Sequence, residues 1–134
     1  MNKYIKIVVL CLISFIPVVP AVAGVGPERD ISRVTVNIDY GQLRPARTVE
    51  MSLPKGGTVL EALQRVAAVE THPVGPYVIV AGIDGVEGKR GETAWYYTVD
   101  GVSAEKLAMA NVIDKAVHIT WRYQEDVCSR KVDK

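Results

Sequence analysis

Cysteine is nearly absent from this chain. Its 134 residues hold two, Cys11 and Cys128. Cys11 lies in an apolar stretch near the amino terminus, so no pair remains to cross-link a folded domain. There is no Cys-x-x-Cys, which excludes a dithiol redox centre and a thiolate zinc site. Histidine is equally scarce. His72 and His118 are far apart, and neither has a ligand partner at helical or hairpin spacing. No serine sits in a Gly-x-Ser-x-Gly elbow, and no Asn-x-Ser/Thr acceptor occurs. Charge of one sign is missing too. With 16 basic and 15 acidic residues, the chain offers no electrostatic basis for binding nucleic acid or an anionic membrane.

What is present begins with the amino terminus. Lys3 and Lys6 precede an almost unbroken apolar run from Ile7 to Ile16. Pro17 and Pro20 then break any helix, and Ala21-Val22-Ala23 supplies the small-x-small pattern of a signal-peptidase site. Residues 1–23 therefore read as a cleavable signal peptide, and the protein as secreted or periplasmic. The alternative is an uncleaved anchor, but the run falls short of the roughly 20 residues of a membrane span. Leu10 precedes Cys11 where a lipobox takes a small residue, so Cys11 reads as part of the apolar run. Cleavage removes Lys3 and Lys6 and leaves 14 basic against 15 acidic residues. About 110 mature residues suffice for one small domain.

Residues 24–30 form a polar leader with Gly and Pro. From there a period of two dominates. Val34, Val36, Ile38 and Tyr40 alternate with polar residues. After a turn, Val49, Met51 and Leu53 do the same, giving a hairpin. One helix follows. Thr58 and Glu61 have capping-box spacing, and Val59, Leu60, Leu63, Val66 and Ala67 share a face. The helix is expected to end near Val69, before His72-Pro73. Strands then return over Tyr77–Ile83, Ala94–Val99 and Val117–Tyr123, with turns at Asp84-Gly85 and Asp100-Gly101. Val86–Thr93 reads as a polar loop, Val102–Asp114 as irregular or partly helical, and 125–134 as a charged tail. This order predicts an α+β fold over residues 31–124, a β-grasp-like mixed sheet with one helix packed across it. The first and last strands are placed to pair in its centre.

Catalytic chemistry is not legible. Gly82, Gly85, Gly88 and Gly91 recur at threes, but no helix follows to make a phosphate loop. Asp84, Glu87 and Glu92 lack the ligand spacing of an EF-hand. No nucleophile–base pair or metal cluster appears, so the chain does not read as an enzyme. The aromatic residues are the exception to this plainness. Trp95 and Tyr97 fall on one strand face and Tyr96 on the other. With Tyr77, Trp121 and Tyr123 they either fill the core or form a shelf for a flat ligand, a glycan or a protein.

The order of segments resembles the carboxy-terminal β-domain of the cobalamin transport proteins, transcobalamin and intrinsic factor, and related uncharacterised bacterial exported domains. The resemblance rests on Ile31-Ser32-Arg33-Val34, Gly57-Thr58-Val59-Leu60-Glu61-Ala62-Leu63, the run Tyr77–Val86, Trp95-Tyr96-Tyr97-Thr98-Val99-Asp100-Gly101 and Val117–Tyr123. It implies a β-domain that closes over a corrinoid held on a separate α-helical barrel. By position, Val78, Ala81, Gly82 and Trp95 face the ligand, and Tyr77 and Tyr97 add surface beside them. Ala81 and Gly82 stand where the transporters carry hydroxyl side chains, and the helical barrel has no counterpart in these residues.

Two functions follow as expectations. The first is a non-catalytic binding module for a corrinoid such as cobalamin, or for another flat ligand. The second is a protein-interaction or surface-assembly module of an exported complex. Neither calls for nucleic acid, nor for a membrane span once the signal peptide is removed.

Overall fold

The computed structural model describes residues 30–128. The expected signal peptide, the leader up to residue 29 and the tail from residue 129 lie outside the described residues. Strand β1 (Ile31–Asp39) pairs antiparallel with β2 (Arg47–Pro54). It also pairs in parallel with the last strand, β8 (Val117–Glu125), from Val34↔Val117 to Asp39↔Arg122. On its other side β8 pairs antiparallel with β6 (Thr93–Val99), which ends against the short β7 (Val102–Ser103). The five-stranded order is thus β2-β1-β8-β6-β7, with the first and last long strands adjacent near its centre.

Register decides which face is apolar. Val34, Val36 and Ile38 on β1 align with Val117, Ile119 and Trp121 on β8. Those in turn share a face with Trp95, Tyr97 and Val99 on β6. The opposite face carries Thr35, Asn37, His118, Thr120 and Arg122. A period of two therefore sorts the sheet into one dry and one wet face.

Helix α1 (Val59–Val66) lies on the dry face, with Val59, Leu60, Ala62 and Leu63 buried. Its start is built as the sequence predicts, because Thr58 Oγ1 accepts from Glu61 N at 3.2 Å. Two further amides of the first turn, Val59 N and Leu60 N, donate to Asn111 O at 2.9 Å and Ala108 O at 3.1 Å. That explains why Val102–Asp114 is not helical: beyond β7 its carbonyls cap α1 instead of forming a ladder of their own. Gly57 leaves room for the approach to β2, since a Cβ there would stand 2.6 Å from Leu53 Cδ2.

The mixed sheet with one helix on it is as expected, but a second, three-stranded sheet stands beside it. It consists of β3 (Val69–Val74), β4 (Tyr77–Ile83) and β5 (Val86–Glu87). β3 occupies the stretch read as a helix end and breaker. The helix stops at Val66, with Ala67 already extended, and Ala68 bonds to Asp84 through both its N–H and its carbonyl. Pro73 is tolerated because β3 is an edge strand, where a missing N–H costs no ladder bond. Asp84-Gly85 and Asp100-Gly101 form the two-residue hairpin turns of β4–β5 and β6–β7. All four residues have positive φ, 50° and 80° at the first pair and 49° and 80° at the second, as type I′ geometry requires.

Asp84 also fastens the small sheet to the large one. Tyr40 OH donates to Asp84 Oδ2, and Arg47 Nη2 donates to the same oxygen at 2.8 Å. Arg44 Nη2 reaches the Asp84 carbonyl at 3.1 Å. Burial pushes the Asp84 carboxyl up. The hydrogen bonds from Tyr40 and Ala68 N–H and the Arg47 charge outweigh burial and hold it below the ordinary value.

Candidate functional site

A groove of about 1170 Å³ opens beside β6. β4 forms one wall through Val78, Val80 and Ala81. Residues 103–108, from the end of β7 onward, form the other. The outer edge of β6, Thr93–Tyr97, runs along it, with Leu60 and Trp121 among the lining side chains. Strand alternation brings aromatic rings to this place. Tyr97 packs on Trp121 with centroids 4.8 Å apart and planes 31° from parallel. Trp95 meets Tyr123 at 5.3 Å and Tyr40 edge-on at 5.9 Å.

Four of the six sequence-predicted site residues converge on the groove: Val78, Ala81, Trp95 and Tyr97. Trp95 is only 7% exposed, and its Nε1 donates to Val86 O at 2.9 Å. It is a fixture of the core that shows one part of its surface to the groove. Tyr97 is half-buried. Its hydroxyl donates to Lys106 O and accepts from Asn111 Nδ2 at 3.2 Å, which ties the second wall to β6. Burial raises the Tyr97 hydroxyl above its ordinary value, with the Asn111 bond opposing. Val78 N donates to Met109 Sδ at 3.1 Å.

Gly82 and Tyr77 do not line the groove. Gly82 is buried in the small sheet, between its partners Glu70 and Glu87. A Cβ on it would stand 3.2 Å from Glu70 Oε2 and 3.3 Å from Glu87 Cγ. Hydrogen bonding to Glu87, then the Glu87 charge, raises the Glu70 carboxyl. Tyr77 stands 53% exposed near the turn of the β3–β4 hairpin, one residue out of phase with Val78.

Two contributors were not legible in the sequence. Leu107 and Ala108 bring apolar surface from a segment with no periodicity. Tyr96, on the far face of β6, meets the chain end. Its hydroxyl donates to Asp126 Oδ1 at 3.2 Å and accepts from Cys128 N at 3.4 Å. Asp126 is 4% exposed and also accepts from Gly91 N at 2.9 Å. β8 reaches Glu125, and Asp126 ties the end of the strand to the 88–93 loop. Cys128 is exposed, with a free thiol.

Solved structures share this architecture. Haptocorrin in complex with Cbi superposes with a TM-score of 0.63 at 10% identity, over 72% of this chain and 26% of that one. This chain therefore spans about a quarter of the haptocorrin chain. A Ruminococcus gnavus protein described as a "putative metal binding protein" superposes with a TM-score of 0.57 at 14% identity, over 70% of this chain and 97% of that one. At such identities the likeness establishes the fold, and it bears out the resemblance to the transcobalamin β-domain. No curated protein sequence matches. The profile of the family described as "Domain of unknown function (DUF4430)" matches residues 56–125, just over half of the chain, and the chain belongs to that family.

Proposed function

We propose that this chain is an exported, non-catalytic binding module of β-grasp type, and that its groove holds a flat ligand, a corrinoid foremost. The observation that carries this reading is the convergence of Val78, Ala81, Trp95 and Tyr97 on one groove. Val78 and Ala81 come from β4 and Trp95 and Tyr97 from β6; Val78, Ala81 and Trp95 are positions that the resemblance assigns to a ligand, and Tyr97 stands beside them. The likeness to haptocorrin in its complex with Cbi supports the same reading. Export rests on the pattern of residues 1–23.

A metal ion is a weaker occupant. No group of three or more His, Cys, Asp or Glu side chains close enough to hold one occurs among the described residues. Glu70 and Glu87 make a pair without a third ligand.

Titrating the purified protein with cobinamide and with cobalamin, while following tryptophan fluorescence, tests the proposal. Saturable quenching that is weakened when Val80, beside Trp95 on the groove wall, is changed to glutamate supports it. Absence of a saturable change up to about 1 mM, the weak end of specific affinity, overturns it.

A further inference from the structure

β2 closes the large sheet on the side away from the groove. Register fixes which of its main-chain groups face outward. Lys55 N donates to Asp30 O at 2.8 Å, so this opposed pair is a hydrogen-bonded one, and every second pair along the ladder follows it. Leu53, Met51 and Val49 therefore bond to Ser32, Val34 and Val36 on β1. Thr48, Glu50 and Ser52 fall on the other phase, and so does Pro54, which has no N–H to offer. The main-chain groups of Thr48, Glu50 and Ser52 point away from β1 and have no main-chain partner among the described residues. All three residues are exposed. Arg33, Glu50, Met51 and Ser52 line an open notch of about 290 Å³ along this edge.

An open edge of this kind is a template for another strand, and the side chains around β2 are complementary to β2 itself. We propose that a second copy of this chain pairs β2 against β2, antiparallel, about a two-fold axis through Met51. Opposed residues share a face of the sheet, so the axis passes through a residue and not between two. With Met51 on the axis, each Glu50 exchanges both main-chain bonds with Ser52 of the second copy. On the helix-bearing face Met51, packed at the margin of the core, meets its own copy, and Val49 meets Leu53. On the polar face Arg33 lies beside Ser52, and Glu50 of the second copy lies just beyond that serine. The gap is two strand spacings, about 10 Å, and the two long side chains close it over the small one. Neither Arg33 nor Glu50 has an ion-pair partner among the described residues. The dimer supplies one to each, twice by symmetry.

The neighbouring registers fit less well. An axis through Glu50 sets its two carboxylates opposite each other. An axis through Val49 sets Glu50 against Thr48, with no cation beside it on that face. An axis through Ser52 sets Glu50 against Pro54, which lacks the N–H. The register about Met51 brings Arg47 near Lys55 of the second copy, but each is already paired, with Asp84 at 2.8 Å and with Asp30 at 3.2 Å. The product is one continuous sheet with both α1 helices on the same face. Because β6 and the groove lie at the other edge, the dimer goes beyond the corrinoid reading and stands or falls separately from it.

An edge-to-edge contact is smaller than a standard interface, so the dimer is expected to dissociate near about 100 μM. Sedimentation velocity of the purified protein between about 10 μM and 1 mM tests it. The weight-average sedimentation coefficient should rise from that of a monomer toward that of a dimer. Amide exchange at Glu50 and Ser52 should slow at least about threefold over the same range, while Met51, already bonded to β1, changes less. Arg33→Glu and Glu50→Arg should each weaken self-association about tenfold, because each sets like charges against one another at both ends of the axis. Mixed in equal amounts, the two variants should recover it, since every contact in the mixed dimer again joins opposite charges. A protein that stays monomeric up to about 1 mM overturns the proposal. So does a dimer that neither substitution weakens, or one that mixing the variants fails to restore, since such a dimer uses another surface or another register. Cobinamide, titrated alongside, reports on the corrinoid reading alone.

Discussion

Trp95 donates its indole N–H to the carbonyl of Val86 at 2.9 Å, whereas the indole nitrogen of Trp121, on the next strand, is buried with no hydrogen-bond partner among the described residues. The two side chains are otherwise alike in burial, 7% and 2% exposed. Replacing either by phenylalanine keeps an aromatic ring and removes the N–H. At Trp95 this orphans the Val86 carbonyl; at Trp121 it removes a donor that gained nothing on folding. Trp95→Phe should therefore destabilise by about 1–2 kcal/mol more than Trp121→Phe in urea unfolding. Equal losses would show that the Val86 bond contributes little.

Asp84 predicts an acid-labile junction between the sheets. Its folded pKa lies below the unfolded value, so the stability it adds is complete above about pH 4 and is lost as pH falls through the folded pKa. Asp84→Asn keeps a residue that accepts positive φ but removes the charge facing Arg47 and Tyr40. At pH 7 the variant should be less stable by about 1–2 kcal/mol, the range of charge-assisted bonds discounted for the solvent that reaches Arg47, 42% exposed. The gap should begin to close as pH falls below about 4 and vanish only below the folded pKa of Asp84. A gap that persists undiminished to the lowest pH would remove Asp84 as its cause.

How much of this was legible beforehand depended on whether a residue's partner was local. The alternation in Val34–Tyr40 and Val117–Tyr123, the Thr58 cap and the two Asp-Gly turns depend on neighbours in sequence, and all appear as read. β3 did not declare itself. Val69–Val74 has one proline and little alternation, and it is extended because Asp84, distant in sequence, takes the Ala68 main-chain groups that would have continued the helix. The site divides in the same way. Strand phase puts Trp95 and Tyr97 on one face, and both line the groove. Gly82, which the resemblance puts beside Ala81, is turned into the small sheet, where β4 carries Ala81 as an extra residue between the partners of Glu70 and Thr71, and strand alternation does not mark such a bulge. Leu107 and Ala108 come from a segment whose position is set by capping α1, which sequence periodicity does not encode.

Tyr96 predicts an effect at the alkaline end. Burial pushes its hydroxyl up to about 12. The Cys128 side chain and Asp126 reinforce the shift, and the Cys128 backbone N–H opposes it. A tyrosine in the unfolded chain ionises near pH 10. The raised folded value means that Tyr96 contributes stability fully below about pH 10 and loses it between there and about 12. Tyr96→Phe should narrow the difference in stability between pH 9 and pH 11, and one late-ionising step should vanish from the tyrosinate absorbance titration. If every tyrosine of the native protein ionises together near pH 10, the Asp126–Tyr96 contact is not formed in solution.

Tyr97 tests whether the groove wall is held or loose. Its ring packs on Trp121 at 4.8 Å, and its hydroxyl joins Lys106 O and Asn111 Nδ2, so one side chain serves both the core and the 103–108 segment. Tyr97→Phe separates the two roles, because the ring stack is retained and the hydroxyl is lost. Global stability should fall by only about 1 kcal/mol, the ordinary net worth of a hydrogen bond. Amide exchange over residues 105–108 should rise well beyond that, since the segment keeps its bonds to α1 through Ala108 O and Asn111 O and the long Ala104 N bond to Tyr97 O but loses the hydroxyl tie at Lys106. A variant in which exchange there rises no more than in β1 and β8 would mean that the segment is fixed by the α1 caps alone, and that Tyr97 meets the groove only through its ring.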